Sequence, residues 1–122
     1  MSAPLAGIKV VEVASWLAAP CCASLMADMG AEVIKVEPPE GDTYRNMYDA
    51  LLGDGSVHPS YQFDNRGKRG VRVNLEDPQG NALVRKLAAD ADIFITNLTR
   101  ARLERYNLTE DDIHAVRPDA VY

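Results

Sequence analysis

No apolar run in this 122-residue sequence is long enough to cross a bilayer. The opening MSAPLAGIKV lacks a basic segment followed by an apolar one, so it does not form a secretory signal. Together these absences predict a cytoplasmic protein with no membrane partner. Positive charge is also scarce. Lys and Arg number 13 against 18 Asp and Glu, a formal net charge of −5, which argues against general nucleic-acid binding. Any anionic ligand therefore has to be met by a local basic cluster. The 2 cysteines, Cys21 and Cys22, are adjacent. A vicinal disulfide is strained, and a pair alone is a poor metal set. They read as reduced, small, buried side chains, with no metal bound. The signatures G-x-S-x-G, H-E-x-x-H and C-x-x-C are missing as well.

What remains is ordinary for a soluble globular chain: 47% apolar and 25% charged residues, enough for one domain around one core. Strands alternate with helices. Ile8–Ala14 (IKVVEVA) is rich in β-branched residues and predicts a buried parallel strand. Pro20 opens a helix whose face carries Cys22, Leu25, Met26 and Met29, and Gly30 caps it. Glu32–Glu37 (EVIKVE) is the second strand, stopped by Pro38 and Pro39. Residues 38–64 show no clear periodicity and read as a long loop, which inside a compact domain is functional or mobile. Val71–Leu75 is the third strand, and Asp77 and Pro78 start the next helix, with Leu83, Val84, Leu87 and Ala88 as its apolar stripe. Asp92–Thr96 is the fourth strand. A short helix through Leu103 and Tyr106 ends at Asn107, and Thr109 starts another, with a Leu108–Ile113 staple. Ala120-Val121-Tyr122 is the beginning of a fifth strand. The expected class is α/β with a largely parallel sheet and flanking helices. A strand with nothing after it suggests a fragment of something longer.

Ligands in such sheets bind at the carboxyl ends of the strands. Ala14–Pro20 (ASWLAAP) follows the first strand there, but it holds no glycine, so the G-x-G-x-x-G pyrophosphate cradle is absent. That weakens a ribose-binding role for Glu37 at the end of the second strand. The segment is either a small-residue helix start that offers amides to an anion or a plain tight connection. Asn65–Gly70 (NRGKRG) concentrates Arg66, Lys68 and Arg69 and is either a phosphate site or a solvated turn. Thr96–Arg105 places Asn97 at a strand end, followed by Arg100, Arg102 and Arg105, some of which are surface charges. His58 and His114 lack partners at catalytic spacing and read as structural or surface residues. Trp16 is either a lid over a ligand or core.

In order along the chain, PLAGIKVVEVASWLAAP, LMADMGAEVIKVEPPEGD, YQFDNRGKRGVRVNLEDPQG, ADIFITNLTRARLERYNLTEDDI and RPDAVY resemble the N-terminal part of family III CoA-transferases, the CaiB/BaiF family. The resemblance covers essentially the whole chain. It implies that residues 1–122 are the first third or so of a member, forming the N-terminal part of a Rossmann-like domain that binds coenzyme A rather than NAD. By resemblance, the coenzyme A site maps onto Leu17 and Ala18, then Val73, Asn74, Leu75 and Glu76, then Asn97, Leu98 and Thr99, and then Arg105 as the contact to the nucleotide end. Glu37 would be structural or would shape the acyl site. The sequence departs from the family at Pro38, where some members have an arginine that contacts coenzyme A. It departs again at Leu98, usually phenylalanine, and at Thr99-Arg100-Ala101, usually R-P-G.

The implied activity moves coenzyme A between an acyl thioester and a carboxylic acid. An aspartate attacks the thioester and forms an acyl-enzyme anhydride. That aspartate would lie beyond Tyr122, so no catalytic residue is assigned within the chain. Acyl-CoA and a carboxylic acid are the implied substrates, no metal is implied, and full-length members form interlocked homodimers. A lone N-terminal piece would then expose apolar surface. The related 2-methylacyl-CoA racemases are the alternative enzyme class; the long segment leading to Tyr61 favours the transferases. A non-catalytic coenzyme A-binding module is a third reading. A receiver-type regulatory module is disfavoured, because Glu12 lies inside the first strand and Asn74-Leu75 ends the third.

Overall fold

Strand β1 (Lys9–Val13) runs through the middle of the sheet, and every residue after Lys9 is buried. A computed structural model describes residues 2–122. It shows β2 (Glu32–Glu37), β3 (Arg69–Arg72) and β4 (Ile93–Thr96) beside β1 in the order β3-β2-β1-β4. All neighbouring pairs are parallel. Val121 continues the series on the outer side of β4: its amide bonds to the Asp92 carbonyl and its carbonyl receives the Phe94 amide, both at 2.9 Å. The α/β class and the beginning fifth strand expected from sequence are both present.

A parallel sheet needs helices on both faces. Helix α1 (Ala18–Asp28) covers Val10 and Val33 on one side, with Ala23 and Ala31 closing that layer. On the other side Val11, Val13, Val36, Val73 and Phe94 form a larger core. It is closed by α4 (Pro78–Ala89), α5 (Arg100–Tyr106) and α6 (Glu110–Val116) through Val84, Ala88, Tyr106 and Ile113. Leu108 and Ile113 are both fully buried in that core, which fits the expected staple, and Thr109 and Asp112 form a reciprocal capping box. Asn107 adopts the left-handed conformation at φ 51 and ends α5 as expected. Gly30 does the same after α1 at φ 95, and its lack of a side chain also leaves room for Ala3.

The structure corrects four expectations. Residues 38–64 are not a single loop but hold α2 (Thr43–Leu52) and α3 (Pro59–Asp64). Asp42 caps α2 by accepting from the Tyr44 amide, Gly53 ends it, and His58 and Pro59 start α3. Tyr44 is the one buried residue of α2, so no apolar stripe announces that helix. The stripe assigned to α1 points the wrong way: Leu25 and Met29 are 52% and 47% exposed, whereas Pro20, Ala23 and Ser24 pack inward. Small residues let the helix sit close to the sheet, and the large ones are left outside. Accordingly, Cys22 is exposed and Cys21 half-buried, not buried as expected. Finally, β3 begins two residues early, at Arg69; the Val73 amide still reaches the Glu37 carbonyl at 2.8 Å before the chain turns toward α4. Leu25, Met29, Leu51, Leu52 and Phe63 are exposed.

Candidate functional site

The carboxyl ends of β1, β2 and β3 open into a cleft of about 340 Å³. One wall is apolar: Val13 and Ala14 at the end of β1, Val36, Pro38 and Pro39 at the end of β2, and Val73 and Leu75 after β3. Leu98, after β4, and Arg102 and Tyr106, on α5, close the far side. Because the chain goes from β1 outward to β3 and then returns to β4 on the other side of β1, the sheet changes direction between β1 and β4. Open α/β sheets bind ligands outside such a switch point.

Of the positions mapped by resemblance, Val73, Asn74, Leu75, Glu76 and Leu98 line this cleft, and Leu17, Ala18, Asn97, Thr99 and Arg105 do not. Leu17 and Ala18 form the start of α1, where Leu17 makes no side-chain cap. Asn97 is occupied with the backbone: its Oδ1 accepts from the Ser15 amide at 3.1 Å and its Nδ2 donates to the Ser15 carbonyl at 2.7 Å. It thereby ties the loop after β4 to the loop after β1. Thr99 precedes α5 without a side-chain cap. Arg105 is paired with Glu76 at 2.6 Å, and the Tyr106 hydroxyl donates to the same carboxylate at 3.1 Å. The Asn74 side chain accepts from the Glu76 amide, which fixes the turn after β3.

Glu37 borders the cleft but is fully engaged. Its carboxylate accepts from the Asp42 amide at 2.9 Å, from Arg45 Nε at 2.9 Å and Nη2 at 2.5 Å, and from the Tyr61 hydroxyl at 2.7 Å. Burial opposes its charge, but the bonds from Arg45, the Asp42 amide and Tyr61 outweigh that and hold the carboxyl down at about 2. Burial and the Glu37 carboxylate together push the Tyr61 hydroxyl well above the usual tyrosine range. This arrangement leaves no acceptor free for a ribose. Glu37 instead pins α2 and α3 beside the carboxyl end of β2, the structural one of the two roles expected for it, while still bordering the cleft.

Beneath this lies a cluster that sequence reasoning missed. Glu12 and Lys35, matched in register on β1 and β2, meet at 2.7 Å on the α1 side of the sheet. Lys68 reaches the second Glu12 oxygen at 2.6 Å, and Lys35 also lies 3.0 Å from Asp42. Burial pushes Lys68 down, with Glu12 opposing. Two cations and two anions are therefore sealed together, as charges removed from water must be. The Asn65–Gly70 segment is correspondingly a largely solvated turn with one buried cation, and its cations are already committed to partners within the chain. Lys68 points inward and donates to the Pro20 and Asp64 carbonyls, Arg66 pairs with Asp28, and Arg69 pairs with Glu32.

The histidines are structural. His58 Nδ1 accepts from the Ser60 amide at 3.1 Å, and its ring packs between Tyr44 and Tyr48. His114 Nε2 lies 3.0 Å from the Ala120 carbonyl oxygen. Trp16 is neither core nor a closed lid: it is half-exposed against Tyr44, on a backbone at φ 66. Among the described residues no cluster of His, Cys, Asp and Glu could hold a metal ion. Among the described residues no helix is long and apolar enough to cross a membrane.

Known proteins share this architecture. The CoA-transferase family III profile matches residues 5–122. An (R)-2-hydroxy-4-methylpentanoate CoA-transferase of Clostridioides difficile is 40% identical over 97% of this chain and 30% of its own length. A succinate–glutarate CoA-transferase of Agrobacterium fabrum is 39% identical over 98% of the chain and 31% of its own. The human succinyl-CoA:glutarate CoA-transferase is 36% identical over 98% and 27%. The chain thus spans roughly a third of these relatives. A CaiB/BaiF family protein from Brucella suis superposes over 100% of the chain and 33% of its own, at a TM-score of 0.87 and 37% identity. A Mycobacterium tuberculosis protein, Rv3272, does so over 98% and 32%, at 0.87 and 30%. With its profile match, its relatives and its Rossmann-like sheet in agreement, this chain belongs to CoA-transferase family III.

Proposed function

We propose that residues 1–122 form the N-terminal part of the coenzyme A-binding domain of an acyl-CoA:carboxylate CoA-transferase. The observation that carries this is the cleft itself. A family III chain presents a cleft with one apolar wall at the carboxyl edge of a parallel sheet, and Val73, Asn74, Leu75, Glu76 and Leu98 line it together. An apolar wall suits an adenine or pantetheine arm, and nearby cationic side chains suit phosphates. Leu17, Ala18, Asn97, Thr99 and Arg105 belong to the same proposed site as its rim, where Asn97 holds two loops in place.

Acyl-CoA and a carboxylic acid are the proposed substrates. Transfer runs through an aspartyl anhydride, for which this chain supplies binding and orientation rather than the nucleophile. The CoA-transferases among its relatives support acyl exchange over α-proton exchange. A cytoplasmic location and an interlocked homodimer of the longer protein belong to the same proposal. Calorimetric titration of coenzyme A, with NAD as control, tests it. Uptake of coenzyme A without NAD is expected, and uptake of NAD alone would overturn the reading.

A further inference from the structure

Residues 14–20 connect β1 to α1, and side chains from elsewhere in the chain hold their backbone. Lys35 Nζ donates to the Ala14 carbonyl at 3.0 Å. Asn97 takes both the amide and the carbonyl of Ser15. Asp42 Oδ1 accepts from the Trp16 amide at 3.5 Å, and Lys68 donates to the Pro20 carbonyl at 2.7 Å. Three of these four anchors, Lys35, Asp42 and Lys68, belong to the sealed cluster around Glu12. The segment they hold is strained. Trp16 sits at φ 66, a conformation rare for any residue but glycine, and such a backbone persists only where its surroundings impose it. The Trp16 ring meets that of Tyr44 at 5.7 Å, and the Tyr44 amide is held by the same Asp42 oxygen.

We propose that the buried charge cluster is a positioning device, in which Lys35, Lys68 and Asp42 fix the backbone of the β1–α1 connection in the shape that coenzyme A needs. This rests on the coenzyme A reading of the cleft, whose wall includes Ala14 and Ser15. Sealing four charges in a layer is a poor route to stability, because apolar side chains of similar volume often serve as well or better. Apolar side chains cannot, however, hold a carbonyl or an amide in place. The three N–H groups of Lys35 are directed at Glu12, Asp42 and the Ala14 carbonyl, so one ammonium fastens β1, α2 and the connection together. Glu12 acts through the two lysines: it holds both ammonium groups where their other N–H groups face the Ala14 and Pro20 carbonyls. None of the three positioning residues has to touch the ligand.

Placement and stability can be measured apart in the 122-residue chain. Trp16 is its only tryptophan and is half-exposed, so tryptophan emission reports the connection directly. Lys35→Met/Asp42→Asn removes one cation and one anion, leaves Glu12 paired with Lys68, and keeps an oxygen for the Trp16 and Tyr44 amides. Only the Ala14 anchor and its charges are lost. Emission is expected to shift to the red, acrylamide to quench it more, and coenzyme A affinity to fall about tenfold, the scale of one net hydrogen bond. Val84→Ala lowers stability from the other face of the sheet and should keep wild-type emission and affinity. Unchanged emission or affinity in the double variant, or an equal shift in Val84→Ala, would overturn the assignment. The wild type supplies a check that needs no variant to fold. Its Trp16 amide lies outside every helix and strand, yet it should exchange far more slowly than a free peptide, and exchange at the free-peptide rate would overturn the assignment. A wild-type chain that takes up no coenzyme A would overturn the coenzyme A reading, and emission and exchange would still decide whether the cluster places the connection.

Discussion

Lys35 Nζ lies 2.7 Å from Glu12 Oε1, and both side chains are closed off from solvent. Lys68 sits against the same carboxylate from the other side, so Glu12 bridges two ammonium groups that come from β2 and from the approach to β3, with Asp42 as the second anion. The three segments are thereby locked in register by charge as well as by backbone pairing.

Glu12→Ala strands Lys35 and Lys68 in a sealed layer and is expected to cost about 3–5 kcal/mol, the usual penalty for breaking a buried pair from one side. Urea unfolding should show a large fall in midpoint. A change below ~1 kcal/mol would mean that water reaches the cluster freely. Glu12→Leu combined with Lys35→Met and Lys68→Met removes the uncompensated charges and is expected to recover much of the loss.

Glu37 makes stability depend on pH in a defined window. Its carboxyl is lowered from 4.5 in the unfolded chain to about 2 in the folded one. A depressed acid contributes stability that is complete above about 4.5 and is lost as pH falls toward about 2. The contribution is on the order of 3 kcal/mol. Unfolding measured from pH 7 to pH 2 should therefore lose stability more steeply in the wild type than in Glu37→Gln. Parallel pH profiles for the two proteins would contradict this account.

The strand-helix alternation was legible because buried parallel strands such as β1 and β2 read as short apolar runs, and because Asp77, Pro78, Asn107 and Thr109 each mark a helix end by local chemistry, whereas α1 starts at Ala18, two residues before the expected Pro20. Helices α2 and α3 were not legible by periodicity, since they lean on Glu37 through Arg45 and Tyr61 rather than on an apolar stripe. Their cap signals, Asp42, Gly53 and Pro59, were present but carried little weight without a stripe. The face of α1 was misread because alanine and serine leave no hydrophobic pattern even when fully buried. The Glu12–Lys35 pair depends on which strands are neighbours and in what register, which one sequence does not reveal. For the same reason Arg100, Arg102 and Arg105 look alike in sequence and differ only in their partners.

Asn97→Ala removes both bonds to Ser15 and is expected to cost about 1 kcal/mol, since the site is exposed. The sharper readout is local. The Ser15 amide, which donates to Asn97 Oδ1, should exchange its proton faster in Asn97→Ala. In Asn97→Asp it should stay protected, because that variant keeps the acceptor. Equal exchange in all three proteins would show that Asn97 does not tie the β1 and β4 loops together.

Gly80 sits in the first turns of α4, where alanine ordinarily stabilises a helix by up to about 1 kcal/mol. Here the sign should reverse. A methyl group at this position would run into the Asn74 carbonyl oxygen and would lie 2.9 Å from Val73 Cγ1. The obstacle is backbone, so the helix has to move rather than a flexible side chain. Gly80→Ala is expected to cost about 1–3 kcal/mol, the range for an overpacked contact. Because Val73 and Asn74 also form a wall of the cleft, coenzyme A affinity should fall with stability in this variant. An unchanged melting temperature in Gly80→Ala would show that α4 can slide off β3 at no cost, and that the close helix–strand packing does not fix the cleft wall.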